Sequence, residues 1–326
     1  RLLQLAQGCA ADDTILAQNE LSELLPRPTP LSVSFMEELW KPGGSVDLAC
    51  HSLGVPYDVQ EGSDPMVVSV FGSLYINMQE QHRRTRKGIG AMASFRLSRG
   101  AEGIERNFRE EFLPEYLSEL RLLEAMDFGR IPTSDLVGLF EDTSARYFHE
   151  SHVQVDMINI AADFYVKVAE RAMRKRKMNS GAVLGLGAAS VMHQAMDVLG
   201  ELRQGRATPE EFLSVFGHRS TVDYELASPR YREDIGMMES LIRNAASLNG
   251  KHATGKGIGV IPDDRTLALA ITRARQFQSL KEEAKHYSLR EFAVLRRMLV
   301  ELDRRLALDG GIFYLEFADI VRLRLG

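Results

Sequence analysis

Cysteine is nearly missing from this 326-residue chain: Cys9 and Cys50 are the only two. Two thiols at that separation form no disulfide framework and show no metal-ligand spacing, so a reducing, cytoplasmic setting fits. Long apolar runs are missing as well. Nothing approaches the roughly 20 apolar residues that a membrane-crossing helix needs, and no signal peptide is visible. Neither sign of charge is in large excess, with 40 Lys and Arg against 45 Asp and Glu for a net −5. No overall basic field therefore exists to draw nucleic acid or an anionic membrane surface. There is no internal repeat and no alternation of strand and helix patterns, which excludes a wound parallel sheet. What remains is an ordinary globular composition, 44% hydrophobic and 26% charged, in a chain long enough for two lobes. The first residue is Arg1, already inside a helix-like pattern of Leu2, Leu3, Leu5 and Ala6. The expectation is a piece of a longer chain.

Taken in order, residues 1–19 read as a short amphipathic helix or linker, with Asp12-Asp13 as capping residues. Pro26, Pro28 and Pro30 hold 20–31 extended. Ser32 then caps a helix through Phe35, Met36, Leu39 and Trp40, interrupted at Pro42-Gly43-Gly44. Residues 66–78 are a strand or a buried helix start, which the short apolar run leaves undecided. His82, Arg83, Arg84, Arg86 and Lys87 read as a solvated basic face. From about 91 the apolar recurrence is helical, with Pro114 as a kink. Thr133 caps a helix running to about 177, ending in positive charge as the helix dipole favours. Residues 178–190, rich in glycine, mark a boundary, so that 1–19, 20–180 and 181–326 are an entry segment and two helical lobes. Thr208 and Glu211 spell a capping box for a helix ending at Phe216. Residues 235–249 are helical, 250–259 form a glycine-rich loop, and Asp263 or Asp264 caps a very long helix to about 308. Asp309-Gly310-Gly311 ends it, an extended piece follows at 312–315, and a last helix closes the chain. The fold class is mainly α: a multi-helix bundle with long spine helices and minor extended segments.

Chemistry concentrates in 217–234, Gly-His-Arg-Ser-Thr-Val-Asp-Tyr-Glu-Leu-Ala-Ser-Pro-Arg-Tyr-Arg-Glu-Asp. That many charges of both signs exceed what helix capping needs. They form either a structural ion-pair network or the lining of a site for an anion. A second polar feature is a seam on one helix, His152, Asp156, Asn159 and Asp163, beside His149, in an otherwise apolar element. It either pairs with another helix or lines a wet cavity, with a metal a distant third reading. The loop Gly250-Lys251-His252-Ala253-Thr254-Gly255-Lys256-Gly257 nearly spells a phosphate-binding loop. Gly257 stands where Ser or Thr should hold magnesium, and a helix rather than a strand precedes it. No nucleophile elbow or oxyanion signature accompanies the serines and histidines.

The stretch Gly217-His218-Arg219, then Asp223, Glu225-Leu226 and Pro229-Arg230-Tyr231-Arg232-Glu233-Asp234, resembles the middle domain of phosphoenolpyruvate-synthase-like dikinases, most nearly the rifampicin phosphotransferase type. Three other segments resemble that domain in the same order: Glu23 to Leu31, Phe71 to Asn77 including Tyr75, and Phe313-Tyr314-Leu315 with Asp319-Ile320. Together they cover residues 20 to 325. The resemblance implies a helical module that presents a small-molecule acceptor to a swivelling phosphohistidine domain. An ATP-grasp domain using ATP and Mg charges that carrier. Neither partner domain is visible in this chain, so it implies no cofactor bound here and no turnover alone. No TIM-barrel pattern is present, which speaks against pyruvate as the acceptor. On this reading His218 is the base or orienter of the acceptor hydroxyl, and Arg219 clamps the phosphoryl group. Asp223, Glu225, Arg230, Glu233, His152, Asp156, Asn159, Asp163 and Tyr75 would line the acceptor site, with no metal ligand among them.

Two other readings stand beside it. One is a non-enzymatic helical scaffold or interaction domain, in which 217–234 is a closed ion-pair network. The other is a helical metal-dependent enzyme using Asp12-Asp13 or Asp263-Asp264, both of which lack a third aspartate two residues on.

Overall fold

A computed structural model describes residues 16–17, 25–70, 72–85, 88, 91–178, 191–252 and 264–323. Asp12-Asp13, most of the glycine-rich boundary at 178–190, residues 253–259 of the near phosphate-binding loop, Phe71 and Asp263 lie outside them. The fold is mainly α, as the periodicity predicts. In chain order the elements are β1 (Leu16–Ala17), α1 (Pro30–Glu37), α2 (Ser45–Leu53), β2 (Val67–Val70), β3 (Ser73–Asn77), α3 (Met78–Thr85), α4 (Ala91–Arg106), α5 (Leu113–Ala125), α6 (Thr133–Arg146), α7 (His152–Arg174), α8 (Val191–Arg203), α9 (Pro209–Phe216), α10 (Ile235–His252), α11 (Arg265–Leu306) and α12 (Phe317–Arg322). The undecided 66–78 segment is a hairpin. β2 and β3 pair antiparallel with Val68 opposite Tyr75, and β1 adds to the other edge of β3. None of the described helices is long and apolar enough to cross a membrane.

The spine is α11, 42 residues long, whose most extensive neighbour is α7. Asp264 starts it, accepting from the backbone N–H of Thr266 and Leu267. Ala307 ends it in the left-handed conformation, and Asp309 and Gly310 continue the turn with positive φ. Residues 311–314 form a 3-10 turn rather than the extended piece expected.

Two continuous rods contain π turns that periodicity did not reveal. Asn107–Phe112 joins α4 to α5, and Tyr147–Ser151 joins α6 to α7. In each the bond skips five residues: Leu113 N–H donates to Phe108 O, and His152 N–H to Tyr147 O. The first lies just ahead of Pro114, the second residue of α5. The second brings Tyr147, Phe148, Ser151 and His152 all into the interior.

α1 is the hub of the core. Phe35 packs between Tyr147, Phe148, Phe292 and Phe317, with ring centroids 4.6 to 5.6 Å away. Its cap is Thr29, not Ser32 as the pattern suggested; Ser32 lies inside the first turn and bonds elsewhere. Thr133 likewise is the first residue of α6 and not its cap. The main hydrophobic cluster draws on both sides of the 180/181 boundary, from Phe35, Phe140 and Ile158 to Phe277, Phe292 and Leu299. A smaller cluster of Leu199, Phe212, Phe216, Tyr231 and Met238 sits under α8, α9 and α10. Gly250 to His252 belong to α10 and not to a loop.

Arg84 is not the solvated residue that its basic run suggests. It is buried, pairs with the buried Glu80 at 2.6 Å, and donates to the carbonyls of Trp40 and Asp64. A guanidinium can satisfy several carbonyls from one side chain, and here it ties the turn at Trp40 and the loop before β2 to α3. Arg84→Met is expected to lower unfolding free energy by about 1–3 kcal/mol, because the Trp40 and Asp64 carbonyls lose their donor while Glu80 keeps Arg83. Urea denaturation reads that loss directly.

Candidate functional site

The stretch 217–234 packs as a compact turn-rich segment between α9 and α10. Thr208 and Glu211 cap α9 reciprocally, as their spacing predicts. At its other end Gly217 is required sterically: a Cβ there would lie 2.4 Å from the Leu213 carbonyl oxygen and 3.1 Å from Arg232 Nε. Two backbone bonds fold the stretch on itself, Tyr231 N–H to Arg219 O and Arg232 N–H to Gly217 O. Asp234 then starts α10, accepting from Met237 N–H.

Most of the charges are spent inside this fold. Arg219 makes a two-pronged pair with Asp223, 3.0 Å from Nε and 2.7 Å from a terminal nitrogen. Burial pushes the Asp223 carboxyl up, but Arg219, Lys285 at 3.6 Å and the Ser220 N–H outweigh it and hold the pKa below the ordinary range. Arg230 is buried over the Phe292 ring and donates to the carbonyls of Asp223 and Glu225. Burial, then repulsion from Arg296, lowers its pKa to about 10. Glu233 accepts from Arg230 N–H and pairs with Arg296 of α11 at 2.8 Å. Arg296 also donates to Leu226 O.

Glu225 links this stretch to the amino-terminal part of the chain. It is buried and accepts from Thr29 N–H, the Thr29 and Ser32 hydroxyls and Ala227 N–H, at 2.8 to 2.9 Å. Leu226 N–H donates to Ser32 Oγ. The first and third resembling segments thus meet at the start of α1. The fourth meets α1 through Phe317 N–H to Ser34 Oγ, and the hairpin through Val67 N–H to Glu37.

Two histidines are left over. His218 and His286 are each 8% exposed and meet edge to face, centroids 4.6 Å apart. Among the described residues the buried polar side-chain atoms without a hydrogen-bond partner are Ser144 Oγ, His218 Nε2, Arg230 Nε and His286 Nδ1. Three of these four belong to this neighbourhood. Burial, then His286 and Arg219, lowers the His218 pKa to about 2. Burial, then Arg219 and Arg290, lowers that of His286 to about 4. Both rings are neutral at physiological pH. Buried polar atoms are ordinarily paired, and a perturbed ionisable group that the fold itself does not use marks a candidate site.

The polar seam on α7 faces the same long helix further along. His152 is buried, with Nδ1 3.3 Å from Ser288 Oγ, and Ser288 donates to the Tyr147 hydroxyl at 3.2 Å. Asp156 accepts from Ser45 Oγ at 2.6 Å and lies 4.0 Å from His152 Nε2. Burial raises the Asp156 pKa against the pull of His152, Ser45 and Asn159. His152 and Asp156 thus pair α7 with α11 and α2, Asn159 bonds to Asp156 on its own helix, and Asp163 is exposed. Tyr75 stands half-buried on β3, in the hairpin held by Glu37. No group of three or more His, Cys, Asp or Glu among the described residues is placed to hold a metal ion.

Clefts formed by described residues include one of about 170 Å³ against Tyr116, Arg146 and Ser151, and one of about 280 Å³ against Leu53, Leu97, Ile104 and Met157. Neither is lined by residues of 217–234.

Searches against protein-family models and against curated proteins find no match for this chain.

His286, Ser288, Glu291 and Arg296 were not singled out from the sequence. Each is a polar residue at a buried position of the α11 pattern. That local misfit is the signal that could have found them.

Two outcomes follow. Glu225→Gln keeps the size but turns an amide N–H₂ toward donors; a loss of about 3 kcal/mol is expected, since an unpaired buried donor costs its desolvation. Thermal unfolding checks it. The histidine pair also makes stability depend on pH. Both rings bind protons more readily when unfolded, at an ordinary value of 6.5, than when folded. Their contribution is therefore complete above pH 6.5 and declines as pH falls towards about 4 and below. Replacing both with Phe should flatten that slope in urea midpoints across the window.

Proposed function

We propose that this chain is the acceptor-presenting domain of an ATP-dependent phosphotransferase of the phosphoenolpyruvate-synthase-like dikinase type, receiving phosphate from a phosphohistidine carrier onto a small-molecule hydroxyl. The observation that carries this reading is the His218–His286 pair. It is neutral, buried beside the cationic Arg219, Arg230 and Arg290, and has two ring nitrogens, His218 Nε2 and His286 Nδ1, that no group of the protein occupies. That the first, third and fourth of the segments resembling this domain meet at α1 supports the same reading.

The chemistry assigned is a balanced exchange. The carrier's P–N bond breaks, and its electron pair returns to the carrier nitrogen. A P–O bond forms to the acceptor oxygen, and the hydroxyl proton ends on the carrier imidazole. His218, with its basicity so far depressed, suits the role of orienting the hydroxyl by a hydrogen bond rather than holding its proton. Phosphoryl transfer needs positioning and charge stabilisation more than a strong base. Arg219, with Asp223 fixing its plane, is the cation assigned to the phosphoryl oxygens. ATP and Mg act in the domain that charges the carrier, and the residues described here are not assigned to them. The cytoplasm is the proposed setting.

A second reading, a helical scaffold or interaction domain, is favoured by one observation: the Arg219–Asp223 and Arg296–Glu233 pairs are already closed.

The test uses the full-length natural protein with β- and γ-labelled ATP and the small-molecule fraction of a cell extract. Acid-labile phosphohistidine should form and be discharged by that fraction. In His218→Phe and Arg219→Ala it should form but discharge at least tenfold more slowly. Absence of any phosphohistidine, or discharge unchanged in both variants, overturns the proposal in favour of the scaffold.

A further inference from the structure

We infer that His286, on the long helix α11 and outside every segment that suggested a function, is the positioning residue for His218. This rests on the reading above for what His218 does, but the contact between the two rings stands independently of it. His218 follows directly on a glycine turn and has no hydrogen bond at Nε2 to fix its ring. What faces it is the His286 ring at 4.6 Å and 84°, itself set against Phe216 at 5.9 Å and Tyr287 at 5.3 Å. An edge-to-face contact inside an aromatic cage fixes the plane of a ring whose Nε2 has no hydrogen bond to orient it.

The same contact helps keep His218 neutral: the His286 ring covers it from water, burial disfavours the charged form, and the Arg219, Arg290 and Arg230 guanidiniums oppose a further positive charge. Arg219 and Arg230 of the stretch and Lys285 and Arg290 of α11 are cationic. Of the anions nearby, Asp223 is taken by Arg219 and Lys285, Glu233 by Arg296, and Glu124 of α5 by Arg290. A neutral His218 offers a lone pair to an acceptor hydroxyl. A protonated one offers only donors and would repel the hydrogen it should hold. His286 thus decides which species of His218 the site presents.

The test has two independent arms. In the first, the ¹⁵N signals of the imidazole rings are followed by NMR in the 326-residue chain from neutral to mildly acid pH. His218 should remain neutral at pH about 5.5 in the wild type, where an unperturbed imidazole is mostly charged. In His286→Ala, which removes the caging ring and admits water, it should protonate there; in His286→Phe, which keeps the cage, it should stay neutral. In the second arm, discharge of phosphohistidine in the full-length protein is followed over the same pH range. His286→Ala should lose several-fold in rate between pH about 7 and 5.5 beyond any loss in the wild type, up to about eightfold if the imidazole becomes unperturbed, and His286→Phe should restore the wild-type profile. Unchanged His218 signals together with a parallel pH profile in His286→Ala overturn the inference. A wild-type protein that forms no phosphohistidine overturns the proposed function instead, and the NMR arm still decides the role of His286.

Discussion

The structure depends on one buried carboxylate. Glu225 has no cationic partner at ion-pair distance among the described residues; four hydrogen bonds hold it instead, two from backbone N–H groups and two from hydroxyls. A carboxylate can be buried only when its oxygens are met in this way. The requirement fixes where the start of α1 sits relative to 217–234, residues almost two hundred positions apart. Once α1 is fixed, Phe35 is fixed, and with it the aromatic centre formed with Tyr147, Phe148, Phe292 and Phe317. The hairpin and the carboxy-terminal helix then attach to the same short helix through Glu37 and Ser34. A motif that reads in sequence as a site is thus first of all a clamp, and any chemistry it performs uses what the clamp leaves over.

That division explains the electrostatics. Arg219, Arg230 and Arg296 are rigid because each reaches carbonyls or a carboxylate with planar geometry. The positive charge of Arg219, Arg230 and Arg290 is not fully cancelled locally; with desolvation it falls on His218, and that of Arg219 and Arg290 falls on His286. The result is a pair of imidazoles kept neutral by a framework that the rest of the domain needs anyway. A phosphate-directed role and a structural role for these arginines are therefore not alternatives for the same atoms. The pairing sets their planes, and the field reaches beyond the pairing.

Much of the architecture is legible in the sequence because it follows from local chemistry. Apolar recurrence marks the helices, Thr208 with Glu211 marks the start of α9, and an aspartate marks the start of α11. Where local chemistry is degenerate the reading slips by a few residues: Thr29 and Ser32 are both good caps, and only the position of Glu225 decides between them. The buried role of Arg84 was illegible because a basic run looks solvated until the carbonyls it will meet are known. The histidine pair was illegible for a deeper reason. His218 stands in a conspicuous motif, but its partner is 68 positions away on a helix whose periodicity draws attention to its leucines and phenylalanines. Contacts between elements of that separation leave no trace in a local pattern, only an occasional polar residue where an apolar one is expected.

The π turn at Tyr147–Ser151 has a consequence for how such a domain can change. Each residue of an α-helix turns the chain by about 100°, so the one extra residue accommodated there sets the facing of everything that follows on α7. Upstream, Leu136, Val137 and Phe140 address one part of the core; downstream, Val155, Ile158 and Ala162 address another. Both are satisfied only because the rod carries this offset between them. A single-residue deletion in the turn would leave a smooth helix whose His152 turns away from Ser288 and whose Asp156 turns away from Ser45. The chain thus holds a discrete rotational setting, one notch wide, between the half of the rod that packs on the aromatic centre and the half that pairs its polar seam with α11.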